Sequence, residues 1–348
     1  MSVSYRAIQW NRQKLTYDAI LLAGVVLYLL IFNLTTQWFS DNLDLRGVQI
    51  RAYGSAAFIL LHIILSIGPL CRLHRRFLPL LYNRRHMGVT MFLLAFYHAR
   101  LAINWYHNFG NLDPLVSLLV SNTNFDSFIR FPFEILGLIA LCILFFMAAT
   151  SHDFWLANLT APVWKALHMM VYAAYALLVG HVVLGALQTN KAPFLTIITG
   201  IGLVWITCIH LVAALRENKL DRQGVALDKD FVAVGSIDEI AEARAKIVNL
   251  GAERVAIFKY DGKIVAVSNV CQHQNGPLGE GKIVDGCITC PWHGYQYLPD
   301  SGASPPPFAE KVPTFDVQLQ GNRIFVRTTP NPPGTQVRPA IIPEEEQK

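Results

Sequence analysis

Four residues near the end of the chain combine the side chains that bind transition metals: Cys271, His273, Cys290 and His293. They form C-x-H and, after sixteen intervening residues, C-x-x-H. Thiolates are soft ligands that suit zinc and iron–sulfur centres, and neutral imidazole can replace a thiolate in either kind of site. The pattern predicts a metal centre held by two thiolates and two imidazoles.

Two kinds of metal centre use such a ligand set. A zinc finger of the commonest kind has a pair of cysteines and then a pair of histidines, whereas here each pair is one cysteine followed by one histidine. The run CPWHG at 290–294 resembles the second ligand loop of the Rieske family, and the prolines at 305–307 resemble the loop that covers its cluster. The resemblance implies a [2Fe–2S] cluster with the cysteines on one iron and the histidines on the other. A structural zinc site is the alternative.

The same resemblance bears on the redox compartment. Rieske proteins of respiratory quinol oxidases carry an extra cysteine in each ligand loop, and the two form a disulfide across the cluster. Gly276 and Trp292 stand at the corresponding positions here, so the resemblance implies that this bridge is absent. A cluster without it suits a reducing compartment.

The composition indicates a membrane protein. Of 348 residues, 53% are hydrophobic and 15% are charged, against about 25% charged in an ordinary soluble domain. Six apolar stretches approach the roughly 20 residues that span a bilayer as a helix. They cover 17–36, 53–71, 87–106, 131–150, 166–187 and 195–215. We therefore predict an all-α, six-helix transmembrane bundle over residues 17–215.

The placement of basic residues predicts how this bundle is oriented. Positive charge concentrates in cytoplasmic loops. The basic residues after the second and sixth stretches are Arg72, Arg75, Arg76, Arg84, Arg85, Arg216, Lys219 and Arg222. Both termini, including residues 1–16, are therefore expected in the cytoplasm. Tryptophans at the helix ends, Trp38, Trp105, Trp155 and Trp164, are expected at the headgroup region.

The sequence changes character after residue 215. A charged linker at 216–227 leads into alternating strand-like runs, which predict a small all-β domain at 228–328. The tail at 329–348 is rich in Pro and Glu and is expected to be disordered. We find no internal repeat in the sequence and no Gly-rich phosphate-binding loop.

Histidines inside the predicted bundle are the second set of candidate ligands, because a polar side chain in hydrocarbon is costly and points to function. His98 and His181 lie well inside the third and fifth stretches, and His86 and His168 lie at their cytoplasmic starts. Gaps of twelve and thirteen residues correspond to about 18 and 20 Å along a helix. The four histidines therefore form an inner pair, His86 with His168, and an outer pair, His98 with His181, and axial imidazole is a standard haem ligand.

A structural role is the alternative for each of these histidines. His98 and His181 could bond to a neighbouring carbonyl, and His86 and His168 could reach water at the helix ends. His62 and His210 also fall within helices, and we interpret them as packing or haem-propionate partners rather than ligands.

Residues 15–215 resemble the ferric-reductase-like transmembrane family, which includes NADPH oxidases, ferric reductases and the haem-bearing subunit of bacterial periplasmic methionine sulfoxide reductase. The matching residues are Arg84-Arg85-x-x-Gly88, Tyr97-His98, and Trp164-x-x-x-His168-x-x-x-Tyr172 with His181. The resemblance implies b-type haem between helices three and five. The sulfoxide-reductase subunit usually has an apolar residue at the position of His86, so one haem and two are both open.

These features predict a membrane electron-transfer protein. Oxidases and reductases of this family carry a cytosolic flavin and NADPH module after helix six, and here a Rieske domain takes that place. We expect a bacterial inner-membrane oxidoreductase that needs a separate cytosolic donor, a ferredoxin or flavin reductase. The acceptor at the outer face would be ferric or cupric ion, oxygen, quinone or a periplasmic partner. Membrane lipid is an expected partner and nucleic acid is not.

Three other functions are alternatives to this one. The cluster could belong to a redox sensor or assembly module that reports on the state of the cell, or electrons could flow inward from quinol. An oxygenase would need a separate mononuclear iron with two histidines and a carboxylate, and no region of the chain supplies it.

Overall fold

A computed structural model describes most of the chain. The described residues are 12–39, 44–81, 84–151, 155, 159, 161–189, 193–221, 230–251, 253–273, 275–292 and 294–343. The chain divides into two compact units. Residues Ala7–Asn158 and Ala166–Leu211 belong to a helical unit, and Leu159–Lys165 and Val212–Lys348 belong to a unit that is mainly β-structure.

Long helices make up the described part of the N-terminal half. They are α1 (Arg12–Phe39), α2 (Leu45–Leu73), α3 (Arg84–His107), α4 (Pro114–Val120), α5 (Phe133–Ala149), α6 (Ala161–Met169), α7 (Val171–His181) and α8 (Pro193–Asp221). A 3₁₀ helix at Arg75–Leu81 connects α2 to α3. A π-helical turn at Val182–Ala186 and a last turn at Leu187–Thr189 extend α7.

The prediction of a helical bundle with membrane-spanning helices is confirmed. Among the described residues, five helical segments are long and apolar enough to cross a membrane: α1, α2, α3, α8 and the run Val163–Ala186 through α6, α7 and the π-helical turn. Helix α5 is a sixth apolar helix, of 17 residues. Seventeen residues are about the shortest length that spans a bilayer. Large apolar side chains of α1 face outward, for example Ile20 at 68% exposure. Such exposure suits contact with lipid.

The β-unit is built from short antiparallel strands. They are β1 (Phe231–Ser236), β2 (Arg244–Leu250), β3 (Glu253–Tyr260), β4 (Lys263–Ser268), β5 (Lys282–Val284), β6 (Cys287–Thr289), β7 (Gln296–Tyr297), β8 (Thr314–Phe315), β9 (Val317–Gln320), β10 (Arg323–Arg327) and β11 (Ala340–Ile341). One sheet has the order β1-β10-β9, and another has β11-β4-β3-β2 with β8 also on β4. A third sheet, β5-β6-β7, carries a candidate ligand loop between β6 and β7.

Alternating apolar residues of the first two sheets form the core of this unit. Ile257, Ile264, Phe315 and Ile324 are at most 1% exposed and belong to one hydrophobic cluster. Tyr260 pairs with Lys263 across the turn Asp261–Gly262, as the Asp-Gly pair predicts for a hairpin. The prediction of a small all-β domain is confirmed.

Two predicted boundaries need correction. Helix α8 continues to Asp221, so the first six residues of the predicted linker at 216–227 are helical. The prediction that 329–348 is disordered is wrong for 329–343, because β11 pairs with β4 and Ile342 is 2% exposed in the core. A few apolar residues pack against the β-unit and keep this segment ordered. The prediction of disorder was based on the Pro and Glu content of the whole tail.

Candidate functional site

The two predicted cluster loops share one backbone conformation. In each loop the cysteine carbonyl accepts a hydrogen bond from the amide four residues later, at 2.7 Å for Cys271 and 2.9 Å for Cys290. Each cysteine amide donates to the carbonyl five residues later, at 2.9 and 2.8 Å respectively. The fourth residue, Asn275 or Gly294, has a φ of 57° or 71°, in the left-handed region that Gly and Asn tolerate best. The two loops therefore form turns of the same backbone conformation, with a cysteine at the same position in each.

These turns contact each other and bury the predicted ligands that the structure describes. Cys271 and His273 have no exposed surface, and Cys290 is 2% exposed. A side chain at Gly276 in the first loop would lie 2.8 Å from Cys290 Sγ in the second, so glycine permits the loops to meet. A Cβ at Gly276 would also lie 3.1 Å from Trp292 Cγ. Gly276 and Trp292, which stand where other Rieske proteins have the cysteines of a disulfide, therefore face each other here. His293 lies outside the described residues.

Two tyrosines after the second loop complete the surroundings of the ligands. The Tyr297 hydroxyl lies 3.5 Å from Cys271 Sγ and accepts a hydrogen bond from the Gln272 amide at 3.0 Å. Burial, together with the adjacent Cys271 sulfur, raises the pKa of Tyr297, so its hydroxyl keeps a proton to share with that sulfur. The Tyr295 ring stacks on His273 at 5.4 Å and 19°.

Tyr295 also joins the site to the proline loop at 305–307. Its hydroxyl donates to Glu310 Oε2, and Phe308, directly after the three prolines, packs on its ring at 4.9 Å. Burial, with the Glu310 carboxylate, raises the pKa of Tyr295. Sequence reasoning missed both tyrosines, although the alternation Tyr295-x-Tyr297 directly after the loop could have indicated them.

The donor set fits an iron–sulfur cluster. Soft thiolates, imidazole and a dry enclosure are what such a cluster requires, and hydrogen bonds to its sulfurs set its potential. The described residues contain no group of three or more His, Cys, Asp or Glu placed to hold a metal ion. The matched loops and the family match below support a [2Fe–2S] cluster in this domain.

The outer histidine pair meets inside the helical unit. The rings of His98 on α3 and His181 at the end of α7 have centres 6.3 Å apart and planes at 87°. An imidazole nitrogen lies about 2 Å from a bound metal and about 1 Å from its own ring centre, so two axial imidazoles on one metal have centres about 6 Å apart. The observed separation suits a shared six-coordinate iron.

Backbone carbonyls fix which nitrogen of each ring is available. Nδ1 of His98 lies 2.8 Å from the Ile50 carbonyl, and Nδ1 of His181 lies 2.9 Å from the Phe133 carbonyl. A carbonyl only accepts, so both Nδ1 atoms carry the hydrogen and both Nε2 atoms keep a lone pair. Metal-binding histidines are commonly held in this way by a second partner. The bond to a neighbouring carbonyl, which the structural alternative expected, is thus present at both histidines. A metal-binding histidine has the same kind of bond, so this observation does not separate the two roles.

A glycine adjoins each of these rings. A Cβ at Gly54 of α2 would lie 2.7 Å from His98 Nδ1, and a Cβ at Gly137 of α5 would lie 2.7 Å from His181 Nδ1. Both histidines stand 48 residues after their carbonyl partner. The α2–α3 and α5–α7 pairs therefore hold their histidines by equivalent contacts.

A cavity of about 780 Å³ lies between these helices. Its lining includes His98, His181, Gly54 and Gly137 and is otherwise mainly apolar, with Arg51 and Glu134 among the polar residues. Known ligand pockets have volumes of about 300–1,000 Å³ and are mostly apolar with a few polar groups. The cavity therefore fits a flat, largely apolar cofactor with a central metal.

The other histidines have different partners. His86 Nδ1 donates to Asp18 Oδ2 of α1 at 2.7 Å, and the Nε2 atom of His168 is buried. His62 bonds to the Phe58 carbonyl and the Tyr175 hydroxyl, which occupies both of its ring nitrogens.

His210 is engaged in the same way, by the Ile206 carbonyl and the Tyr172 hydroxyl. The interpretation of His62 and His210 as packing or haem-propionate partners rather than metal ligands stays a prediction.

Comparison with known proteins agrees with both halves of the chain. Residues 230–316 match the Rieske [2Fe–2S] domain, and residues 53–179 match the ferric reductase like transmembrane component. The chain is 31% identical over 99 residues to the biphenyl dioxygenase ferredoxin subunit of a Pseudomonas species, covering 28% of this chain and 90% of that protein.

Two further relatives extend the comparison. The alkene monooxygenase system ferredoxin component of Xanthobacter autotrophicus is 26% identical over 106 residues, 30% of this chain and 87% of that protein. The magnetosome protein MamZ of Paramagnetospirillum magneticum is 30% identical over 161 residues, 46% of this chain and 23% of that protein. The chain thus belongs to the Rieske [2Fe–2S] family through its C-terminal domain and joins it to a ferric-reductase-like transmembrane component, as a membrane protein of electron-transfer or oxidoreductase function.

Proposed function

We propose that this protein passes single electrons between a cytosolic Rieske cluster and b-type haem within the membrane. One observation carries the proposal: His98 and His181 present two imidazoles 6.3 Å apart in a cavity of a chain that also holds the cluster loops. The ferredoxin subunits among the relatives are named as components of multi-protein systems, which supports a carrier role for the C-terminal domain.

The residues of the chain would hold these groups as follows. Cys271, Cys290, His273 and His293 would bind the cluster, and His98 and His181 would bind the haem. When bound, both groups take up and give up one electron at a time. A second haem between His86 and His168 is part of the proposal, since the Asp18 carboxylate fixes the hydrogen of His86 on Nδ1 and leaves Nε2 for iron.

The protein itself positions the two imidazoles and excludes water from them. The carbonyls of Ile50 and Phe133 hold the two imidazoles in one tautomer, and the apolar cavity keeps solvent from them. No side chain is needed as a nucleophile or as a general acid, because electron transfer at these sites requires no bond to carbon or phosphorus. The reaction class is therefore an oxidoreductase without covalent catalysis.

The proposed direction is outward, from a donor on the cytoplasmic side to an acceptor at the outer face. We place the chain in a bacterial inner membrane with both termini in the cytoplasm, from the basic residues after the second and sixth spans. A cytosolic ferredoxin or flavin reductase would supply electrons, and a metal ion, oxygen, quinone or periplasmic protein would receive them. Alkaline phosphatase fused after Lys348 should stay inactive, and activity of that fusion would overturn this topology.

The test of the proposal is anaerobic stopped-flow of the purified protein with an NADH-dependent flavoprotein reductase. Wild-type haem absorbance should shift to the reduced form, and His98→Ala should lose low-spin haem b. Cys271→Ser should keep haem but lose its fast reduction. A wild-type preparation without haem b, or a Cys271→Ser variant reduced at the wild-type rate, would contradict the proposal.

A further inference from the structure

One of four tryptophans at the ends of the predicted spans differs from the others in its surroundings. Trp38, Trp105 and Trp155 are 85%, 37% and 41% exposed, as suits rings at a membrane–water interface. Trp164 is only 3% exposed. It belongs to the segment Leu159–Lys165, which is part of the same compact unit as the Rieske domain. A position in the headgroup region does not account for its burial.

Trp164 packs against a predicted cluster ligand. Its ring centre lies 4.7 Å from that of His273, with the planes at 36°. Favourable aromatic pairs have centres about 4.5–7 Å apart. Tyr295 also stacks on His273, at 5.4 Å, and the imidazole has no exposed surface. Two aromatic rings, one from the Rieske fold and one from helix α6, thus cover this ligand.

The contact between Trp164 and His273 lies within one compact unit, because Leu159–Lys165 and the Rieske domain belong to the same unit. The sequence alone offers Trp164 as an interface tryptophan and gives no sign of this contact.

We propose that Trp164 is a positioning residue for the cluster site, which packs with Tyr295 on His273 and holds that imidazole in place to bind iron. This inference rests on the proposed function. Trp164 itself is neither oxidised nor reduced in this role.

The first test measures the reduction potential and the EPR spectrum of the cluster in Trp164→Leu and Trp164→Phe, with Trp155→Leu as the control that removes an exposed interface tryptophan. Loss of the ring should shift the potential and the g values, since burial and packing around a ligand tune such a centre. Phe should restore most of the wild-type values, and the control should keep them. A wild-type potential and wild-type g values in Trp164→Leu would overturn the inference.

The second test needs neither turnover nor a bound cofactor. A photo-crosslinking benzoylphenylalanine replaces Trp164 in the full chain, and mass spectrometry identifies the linked peptide after digestion. A link to the peptide that contains His273 is expected, and its absence would overturn the inference even if Trp164→Leu fails to retain its cofactors. If wild-type haem is not reduced through the cluster, the proposed function fails, and the crosslink still reports separately on whether Trp164 meets His273.

Discussion

His98 and His181 come from two equivalent helix pairs and meet with ring centres 6.3 Å apart and planes at 87°. Each donates Nδ1–H to a carbonyl 48 residues earlier in the chain, Ile50 or Phe133. The two rings are therefore held from outside the cavity by backbone, while their Nε2 atoms remain available for a ligand inside it. This symmetry is the structural basis for proposing a haem with two axial imidazoles.

The glycines beside these rings give the first prediction. Alanine at Gly54 or Gly137 would place a methyl group 2.7 Å from the adjacent Nδ1 and displace the imidazole. We expect each variant to lose haem or to convert it from low spin to high spin, measured by pyridine haemochrome and optical spectra.

Gly200→Ala is the matched control for these variants, because nothing lies within 4 Å of a Cβ at that position. Alanine for glycine within a helix otherwise stabilises by about 0.5–1 kcal/mol, so lost haem cannot be assigned to a weaker helix. Full low-spin haem in Gly54→Ala and Gly137→Ala would show that the rings do not occupy these positions in the loaded protein.

The second prediction concerns the number of haems. If His86 holds an inner haem, His86→Ala should halve the ratio of haem to protein and leave the His98–His181 haem in place. Asp18→Asn should have a milder effect of the same kind, since Asp18 orients His86 through a 2.7 Å bond. An unchanged ratio in His86→Ala would mean that this chain holds one haem.

The third prediction concerns the potential of the cluster. The Tyr297 hydroxyl lies 3.5 Å from Cys271 Sγ and stabilises the more negative, reduced state of the cluster by donating to that sulfur. Tyr297→Phe should lower the reduction potential by roughly 20–60 mV, the equivalent of a hydrogen bond of about 0.5–1.5 kcal/mol for one electron. An EPR-monitored redox titration measures it. Tyr260→Phe, on the hairpin between β3 and β4, should leave the potential unchanged, and an equal potential in both variants would refute this role for Tyr297.

The fourth prediction tests the ordered end of the Rieske domain. Ile342 is 2% exposed in the core, and its neighbour Ile341 is 74% exposed. Ile342→Ala should destabilise the domain by about 2–5 kcal/mol, whereas Ile341→Ala should change stability by no more than about 0.5 kcal/mol. Urea-induced loss of the visible cluster spectrum in detergent measures both. Equal stability of the two variants would restore the original expectation of a disordered tail.

The sequence was most informative where chemistry requires particular residue types in a short stretch. The spacing of Cys271, His273, Cys290 and His293 predicted the cluster, and long apolar runs predicted the spans, because both signals are local. His98 and His181 were predicted to form a pair from their depth along the helices and from the family resemblance. Their carbonyl partners, and the glycines that admit the rings, lie on other helices and could only be found once the helices were packed.

Contacts between distant segments account for the remaining differences. Trp164 looked like an interface residue because its local sequence carries no information about His273, more than a hundred positions away. Similarly, the tail was expected to be disordered because its composition outweighed Ile342, a single residue whose burial depends on the packed core of the β-unit. Such cases depend on tertiary packing, which overrides local composition.

The measurement that tests the central claim most directly is a rapid-freeze time course of the unmodified protein with a cytosolic flavoprotein reductant. EPR of the cluster and absorbance of the haem are read from the same samples. We predict that the Rieske signal appears first and that haem reduction follows it, with a rate that scales with the fraction of reduced cluster. Haem reduction that precedes the cluster signal, or a fully reduced cluster beside haem that stays oxidised, would contradict the account.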